Sequence, residues 1–447
     1  LSGWLTQGAC VKDFEKRWDE IVGIFSPSAV RKGSFEKYTQ VKRKKGTDEV
    51  DTAFLFEIER WRELLAKNIA LRNESLDVAG LNYAVQMTID RIIFLRICED
   101  RGVEPDEQLK KISNKTNIYF ELCKLYRKAD ARYNSGLFHF KKEESQASKP
   151  DDLTLSLTID DKILKDIISN LYFPQSPYAF NYIPVDILGQ VYERFLGKVI
   201  RLTEGHQAKV EEKPEVRKAG GVYYTPTYIV DYIVKNTVGK LVENKTPKEV
   251  ASMKIVDPAC GSGTFLLGAY QYLLDWHLQW YREHKPQGWA KKKLSPIIMV
   301  SNEWKLSPEK KKEILLNNIF GVDIDAQAVE VTKLSLHLKL LEEENQLVNT
   351  SLPLPFDKRL LPDLGKNIQC GNSLIGSDYF EGPIGVNEKD RLTVNPFDWN
   401  NAFKDVFDKG GFDVVIGNPP YLRIQGLQEN YGNQIEYFAK LYKSAVK

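Results

Sequence analysis

The chain is poor in the residues that build disulfide scaffolds and metal centres. It has 5 cysteines in 447 residues, Cys10, Cys98, Cys123, Cys260 and Cys370. They are scattered and odd in number, with no C-x-x-C pair. That pattern argues against a disulfide framework and against a cysteine zinc site; it fits a reducing, cytoplasmic setting. Histidine is equally scarce, and His206, His277, His284 and His337 show no metal-ligand spacing. His337 falls in an apolar helical run, where packing is expected. No apolar run is long enough to span a bilayer. No basic stretch followed by an apolar one opens the chain, so no secretory signal is visible. Charge of one sign is lacking too: the formal net charge is +2. Bulk charge therefore neither demands nor excludes a polyanionic partner, and a local basic face would have to attract one. Lys42-Arg43-Lys44-Lys45 reads as a phosphate contact or, preferably, as a solvated loop. The chain starts at Leu1 rather than Met, which points to a fragment or a processed start.

What is present is a globular composition, with 42% hydrophobic and 28% charged residues, over a length that suggests two or three domains. Up to about residue 205 the texture is helical. Leu81, Val85, Ile89, Ile92, Ile93 and Leu95 recur at helical spacing between Leu76 and Gly102, with the glycine as a stop. Residues 53–71 and 185–202 read as further helices, 141–152 as a surface loop, and the charged stretch 204–218 as a linker. After Gly220, short β-rich runs alternate with helical ones. The runs are 254–257, 319–323, 368–370 and 412–416. This alternation predicts a parallel sheet with helices on both faces. Residues 284–312 and 376–411 read as insertions over the sheet rim.

Four motifs carry chemistry. Asp257-Pro258-Ala259-Cys260-Gly261-Ser262-Gly263-Thr264-Phe265 is a strand ending in an acid, then a glycine turn, then a helix. Gly261 and Gly263 let the backbone approach a ligand. An acid here suits a ligand with an amino group rather than a pyrophosphate; a plain tight turn is the alternative. In Gly321-Val322-Asp323-Ile324-Asp325, Asp323 is placed to accept from ribose hydroxyls and Ile324 to pack on an adenine ring. Asp325 caps the following helix. In Cys370-Gly371-Asn372-Ser373, Asn372 either meets an adenine edge or belongs to a polar turn. The last motif is Asn418-Pro419-Pro420-Tyr421, directly after an apolar strand. Its prolines fix the backbone and remove N–H donors. Asn418 and Pro419 then offer two oxygens to the protons of a planar amine, pushing its nitrogen toward tetrahedral geometry and freeing its lone pair. Tyr421 offers a stacking face.

These motifs, in this order, resemble the amino-methyltransferases of the class I fold that use S-adenosyl-L-methionine. Within them the chain is most similar to the adenine-specific methylase portion of single-chain type IIG restriction–modification enzymes. Gly221-Val222-Tyr223-Tyr224-Thr225-Pro226 and the helix after it resemble the family segment that closes over the methionine end. Phe94–Gly102 and Arg217–Gly221 resemble the family's helical connector. The resemblance implies an α/β, Rossmann-like methyltransferase domain, incomplete at its C-terminal side, preceded by a mostly helical domain. The expected division is connector 1–205, linker 206–219 and catalytic part 220–447. It implies cofactor contacts from Tyr224, Thr225, Asp257, Ala259, Gly261, Gly263, Thr264, Phe265, Asp323, Ile324, Asn372 and Pro420. It implies catalysis by Asn418, Pro419, Pro420 and Tyr421, on a flipped adenine in double-stranded DNA, without a metal. Asn372 departs from the Asp of many relatives but still accepts a hydrogen bond.

The family sheet has seven strands, of which four can be placed here, and no nuclease carboxylate cluster is visible upstream. The expectation is therefore a fragment lacking nuclease and target-recognition domains, inactive alone. Other substrates for the same loop are cytosine N4 in DNA, guanine in ribosomal RNA and glutamine in protein. Asn418, where N4-cytosine relatives often carry Ser, favours adenine. Carbon-5 cytosine chemistry lacks its Pro-Cys nucleophile. A different kind of reading is a cofactor-sensing scaffold that gates an attached nuclease.

Overall fold

The computed structural model describes residue 22 and residues 50–133, 136–141, 150–172, 175–176, 180, 197–212, 225–300, 302–342, 361–380, 391, 394–419 and 434–442. In the first half, α1 (Val50–Arg72) packs on α2 (Val78–Asp100). Asp77 caps α2 by accepting from the Gly80 N–H, and Gly102, at φ +66°, ends it. The helix is buried almost all round, including charged residues that a hydrophobic period does not anticipate. Each has partners, as a buried charge requires. Arg91 meets Asp151 at 2.6 Å, donates to Thr154 Oγ1 at 2.6 Å and to the Leu137 carbonyl at 2.7 Å. The helices α3 (Gln108–Ser113), α4 (Ile118–Tyr133) and α5 (Asp161–Ser169) complete this layer.

One expectation is corrected here. The helix expected over 185–202 gives way, where described, to β1 (Lys198–Leu202), which forms an antiparallel hairpin with β2 (Ala208–Glu212) of the charged stretch. A tertiary partner explains why local pattern missed it. The Asn82 side chain on α2 donates to the Ile200 carbonyl at 2.8 Å and accepts from its N–H at 3.1 Å, completing the ladder of β1. Arg62 on α1 adds a bond to the Lys198 carbonyl at 2.9 Å. Residues 185–196 and 213–219 lie outside the described residues, as do 142–149 of the expected surface loop.

The second half alternates as the sequence predicts. Helices α6 (Thr227–Asn236), α7 (Val238–Val242) and α8 (Pro247–Val250) precede β3 (Ile255–Asp257). Then follow α9 (Thr264–Glu283), α10 (Pro286–Ala290), β4 (Ile297–Val300), β5 (Glu303–Leu306) and α11 (Pro308–Asn318). The chain continues through β6 (Ile319–Asp323), α12 (Ala326–Leu340), β7 (Ile368–Cys370), α13 (Trp399–Ala402), α14 (Lys404–Phe407) and β8 (Val414–Val415). Four strands form one parallel sheet in the order β7-β6-β3-β8. The insertion at 284–312 contains a separate antiparallel hairpin, β4 with β5, that the sequence did not suggest.

Alternate residues of β3 and β6 face two cores. Ile255 and Ile319 join the large core, whereas Val256, Phe320 and Val322 pack on the other face against Phe397, Phe403 and Val406. The large core is continuous with that of the helical half. Arg101, at the C-terminal cap of α2, donates to the Leu338 carbonyl of α12 at 2.8 Å, and the Leu361 N–H to the Tyr133 carbonyl at 3.1 Å. Among the described residues no helix is long and apolar enough to cross a membrane, and no His/Cys/Asp/Glu group could hold a metal ion.

Candidate active site at the carboxyl ends of the sheet

In chain order the sheet reads third, second, first, fourth, so the winding reverses between β3 and β8. In open α/β sheets ligands bind outside the carboxyl ends of the strands at such a point. Asp257 ends β3, and the loop carrying Asn418 leaves β8 beside it. The two are so close that a Cβ on Gly417 would collide with the Asp257 carboxylate. Any side chain there would force the buried Asp257 carboxylate to move.

The turn after Asp257 is set by two left-handed residues, Gly261 at φ +53° and Gly263 at φ +86°. The Gly261 N–H donates to Asp323 Oδ2 at 2.8 Å, and its carbonyl accepts from Thr332 Oγ1 at 2.8 Å. A Cβ on Gly263 would lie 2.9 Å from Thr332 Cγ2. Helix α9 then starts at Thr264 with no side-chain cap. Its first N–H groups face the crevice end of the helix, where the dipole favours an anion. Phe265 is buried and anchors this turn, while Ala259 donates its N–H to Asp257 Oδ1 at 3.0 Å.

Asp323 ends β6; its Oδ1 accepts from the Asp325 N–H at 2.9 Å. Asp325 caps α12 by accepting from Gln327 N at 2.9 Å, as the sequence suggested. Between them Ile324 is 53% exposed, an apolar side chain left uncovered beside polar groups. Asn372 lies beyond β7, and its Oδ1 accepts from the Leu374 N–H at 3.1 Å. The loop thus closes as a polar turn around Asn372. Asn418 is exposed and its Nδ2 donates to Thr225 Oγ1 at 3.1 Å, joining two motifs 193 residues apart. Pro419 is exposed next to it. Tyr224, Pro420 and Tyr421 lie outside the described residues.

Sequence reasoning missed several groups at this end of the sheet. Asn395 is held at φ +46°, accepts from the Asn372 N–H at 2.6 Å and donates to Cys370 Sγ at 3.3 Å. The Ser373 hydroxyl donates to the Pro258 carbonyl, tying the loops after β7 and β3 together. Tyr437 accepts from the Gly376 N–H at 3.0 Å and donates to Asp378 Oδ1 at 2.7 Å. Ser373 lies inside the third motif but was given no role, and no local pattern marks Tyr437.

Electrostatically the site centres on Asp257, which is 2% exposed. Burial pushes its carboxyl up to about 7, and the nearby charge of Asp323 adds to this; the Ala259 N–H pulls the other way. A buried carboxylate with one backbone donor among the described residues is a site in want of a cation or further donors. The crevice therefore offers an acid for an ammonium group, a helix end for a carboxylate, a second acid for hydroxyls and an apolar face. That set fits an amino-acid nucleoside such as S-adenosyl-L-methionine.

The N-6 DNA Methylase family matches residues 184–355, and the Eco57I restriction-modification methylase family matches residues 317–447. The chain is 34% identical over 432 residues to the type II restriction enzyme and methyltransferase RM.Eco57I of Escherichia coli; this is 96% of the chain and 40% of that protein. It is 26% identical over 445 residues to RM.MjaORFECS2P of Methanocaldococcus jannaschii, covering 82% of the chain and 33% of that protein. It is 23% identical over 250 residues to the adenine-specific methyltransferase BrxX of Escherichia coli O9:H4 (strain HS), covering 49% of the chain and 18% of that protein. The chain thus spans less than half the length of each.

Proposed function

We propose that this chain, which carries the N6 adenine methyltransferase domains of restriction–modification methylases, transfers a methyl group to the N6 amino group of adenine in DNA. The observation that carries the reading is the adjacency of the buried Asp257 and the Asn418-Pro419 loop across Gly417. On this reading the four strands belong to a Rossmann-like class I domain within 220–447, residues 1–205 are a connector, and 206–219 join them. The cofactor is S-adenosyl-L-methionine, which supplies an electrophilic sulfonium methyl when bound.

The chain's own groups would then work as follows. Asp257 takes the ammonium of the amino-acid end, and Thr225 and the start of α9, with Gly261, Gly263, Thr264 and Phe265 shaping the turn, take its carboxylate. Asp323 accepts from the ribose, while Ile324, Asn372 and Pro420 line the adenine. Thr225 holds the Asn418 amide by its Nδ2. This leaves the Asn418 side-chain oxygen and the Pro419 carbonyl to accept the two protons of the target amine. The nitrogen's lone pair would thereby be freed toward the electrophilic methyl that the bound cofactor would supply, and the amine's surplus proton would leave to solvent. Orientation of the two reactants and preorganised acceptors supply most of the acceleration. Tyr421 stacks on the flipped base, whose extrusion costs a few kcal/mol.

The partner is double-stranded DNA. Nuclease and target-recognition functions belong to other parts of the polypeptide. Mass spectrometry of nucleosides tests the reading. The parent gene is expressed, with and without Asn418→Ala, in cells lacking other DNA methyltransferases. N6-methyladenine should appear with the unmutated protein alone. N4-methylcytosine would correct the base, and methylation by the Asn418→Ala protein would overturn the role of that residue.

A further inference from the structure

We propose that residues 282–293, at the far end of α9, form a second DNA-binding surface that grips duplex phosphates without reading sequence. The segment holds Arg282, Lys285, Lys291, Lys292 and Lys293 against the single acid Glu283. Its net charge of +4 exceeds the +2 of the entire chain. All five cations are exposed. Among the described residues none of them forms an ion pair, whereas lysines elsewhere commonly do, as in Lys67–Glu63, Lys115–Glu121 and Lys198–Glu59. Uncompensated positive charge on a rigid surface attracts a polyanion.

The segment is rigid for a visible reason. The rings of Trp280 and His284 stack at 4.0 Å and 6°. Trp289 packs edge-on against Trp280 and Tyr281, at 5.8 and 5.1 Å, and donates its Nε1–H to the His284 carbonyl at 2.8 Å. Lys292 sits 3.6 Å above the Trp289 ring. Arg282 donates to the Trp304 carbonyl of β5 at 2.8 Å, fixing the hairpin to the helix end. The backbone that carries the lysines is therefore already ordered before a ligand arrives, and the entropy still to be lost is that of the side chains. Adjacent lysines act as compact point charges, which suits phosphates spaced along a duplex at one negative charge per roughly 1.7 Å.

The 20 residues of α9 span about 30 Å, so this surface lies roughly that far from the crevice at Gly263. It therefore engages a stretch of duplex other than the one holding the target base. Its use is retention and search, not methyl transfer. The inference takes its partner from the DNA reading above, but its test reads binding rather than methylation, so the two can fail separately.

The test is fluorescence anisotropy of the whole chain with duplexes of unrelated sequence, across a salt series. Lys291→Gln, Lys292→Gln and Lys293→Gln are combined in one variant. Each lost phosphate contact makes the slope of log K against log salt shallower by about 0.9. The triple variant should therefore lose a slope of about 2 to 3 and bind every duplex at least tenfold more weakly at low salt. Its thermal unfolding and its binding of S-adenosyl-L-methionine should match the parent. An unchanged slope overturns the proposal, as does a chain that binds acidic protein but no duplex. A slope loss of up to about 1.8 in an Arg282→Gln, Lys285→Gln variant supports it further.

Discussion

Asp257 gives the sharpest prediction. Its carboxyl is pushed up to about 7 by burial and by Asp323, yet the proposed role needs it ionised beside an ammonium group. Below about pH 7 the empty site is protonated and must release that proton to bind. Affinity for S-adenosyl-L-methionine should fall about tenfold per pH unit below 7: about tenfold at pH 6 and about a hundredfold at pH 5. Above about pH 8 it should fall again, as an ordinary α-amine loses its charge. Titration calorimetry in buffers of different ionisation enthalpy measures both affinity and the released proton, nearly one at pH 6 and about one half at pH 7. Asp257→Asn should bind weakly and with no slope in the acid range. The same burial has a consequence for the empty fold. A folded pKa above the unfolded one contributes stability below about pH 4, lost as pH rises through about 7. The rise corresponds to roughly 4 kcal/mol. Asp257→Asn should therefore stabilise the empty chain at pH 8 and leave it little changed at pH 4. Affinity that is flat from pH 5.5 to 7.5 with no proton release would refute the reasoning.

Three further perturbations test the architecture. Gly417→Ala puts a methyl into the Asp257 carboxylate; calorimetry should show cofactor binding lost, with about 1–3 kcal/mol of stability from the strained loop. Arg91→Met removes the counter-charge of the buried Asp151, leaving it the Leu153 and Thr154 donors, and should cost about 3 kcal/mol in denaturant unfolding, with Asp151→Asn in the same chain recovering part of it. His277 and His337 are held down at about 4 by burial. Their neutral forms contribute stability above about pH 6.5 that is lost as pH falls toward 4. Tm measured with His337→Gln should therefore decline less over that window than in the parent.

The legibility of the sequence followed the locality of the interactions. The four parallel strands and the turns beside them were readable because each strand is a short apolar run ending in an acid, a glycine or an amide, which is a local signal. Asp325 as a cap was readable for the same reason. The β1–β2 hairpin was not, because its ladder is completed by Asn82 from 118 residues away. The β4–β5 hairpin was hidden by its brevity and its lack of alternation, since the two buried residues of its first strand, Ile297 and Val300, are three apart and face opposite ways. At the site, Asp257, Asp323 and Asn418 could be picked out by type and order. That a side chain at Gly417 would displace Asp257, or that Thr225 meets Asn418, depends on how separate loops converge at the sheet end.

The same distinction bears on where one part of the protein stops. A change of texture near residue 205 suggests a boundary, because helical periodicity gives way to charge and then to alternating strands. Packing does not stop there. Side chains of α2 and of α9 and α12 share one core, and Arg101 crosses between α2 and α12 through the Leu338 carbonyl. Arg62 of α1, held down at about 10 by burial, is pulled back up chiefly by the charge of Asp325, the residue that caps α12 beside Ile324. The helical half therefore reaches the wall of the crevice through its core and through its charges. A boundary of sequence texture is here not a boundary of packing, and changes on α1 or α2 should be felt at the carboxyl end of β6 before they are felt at the distant end of α9.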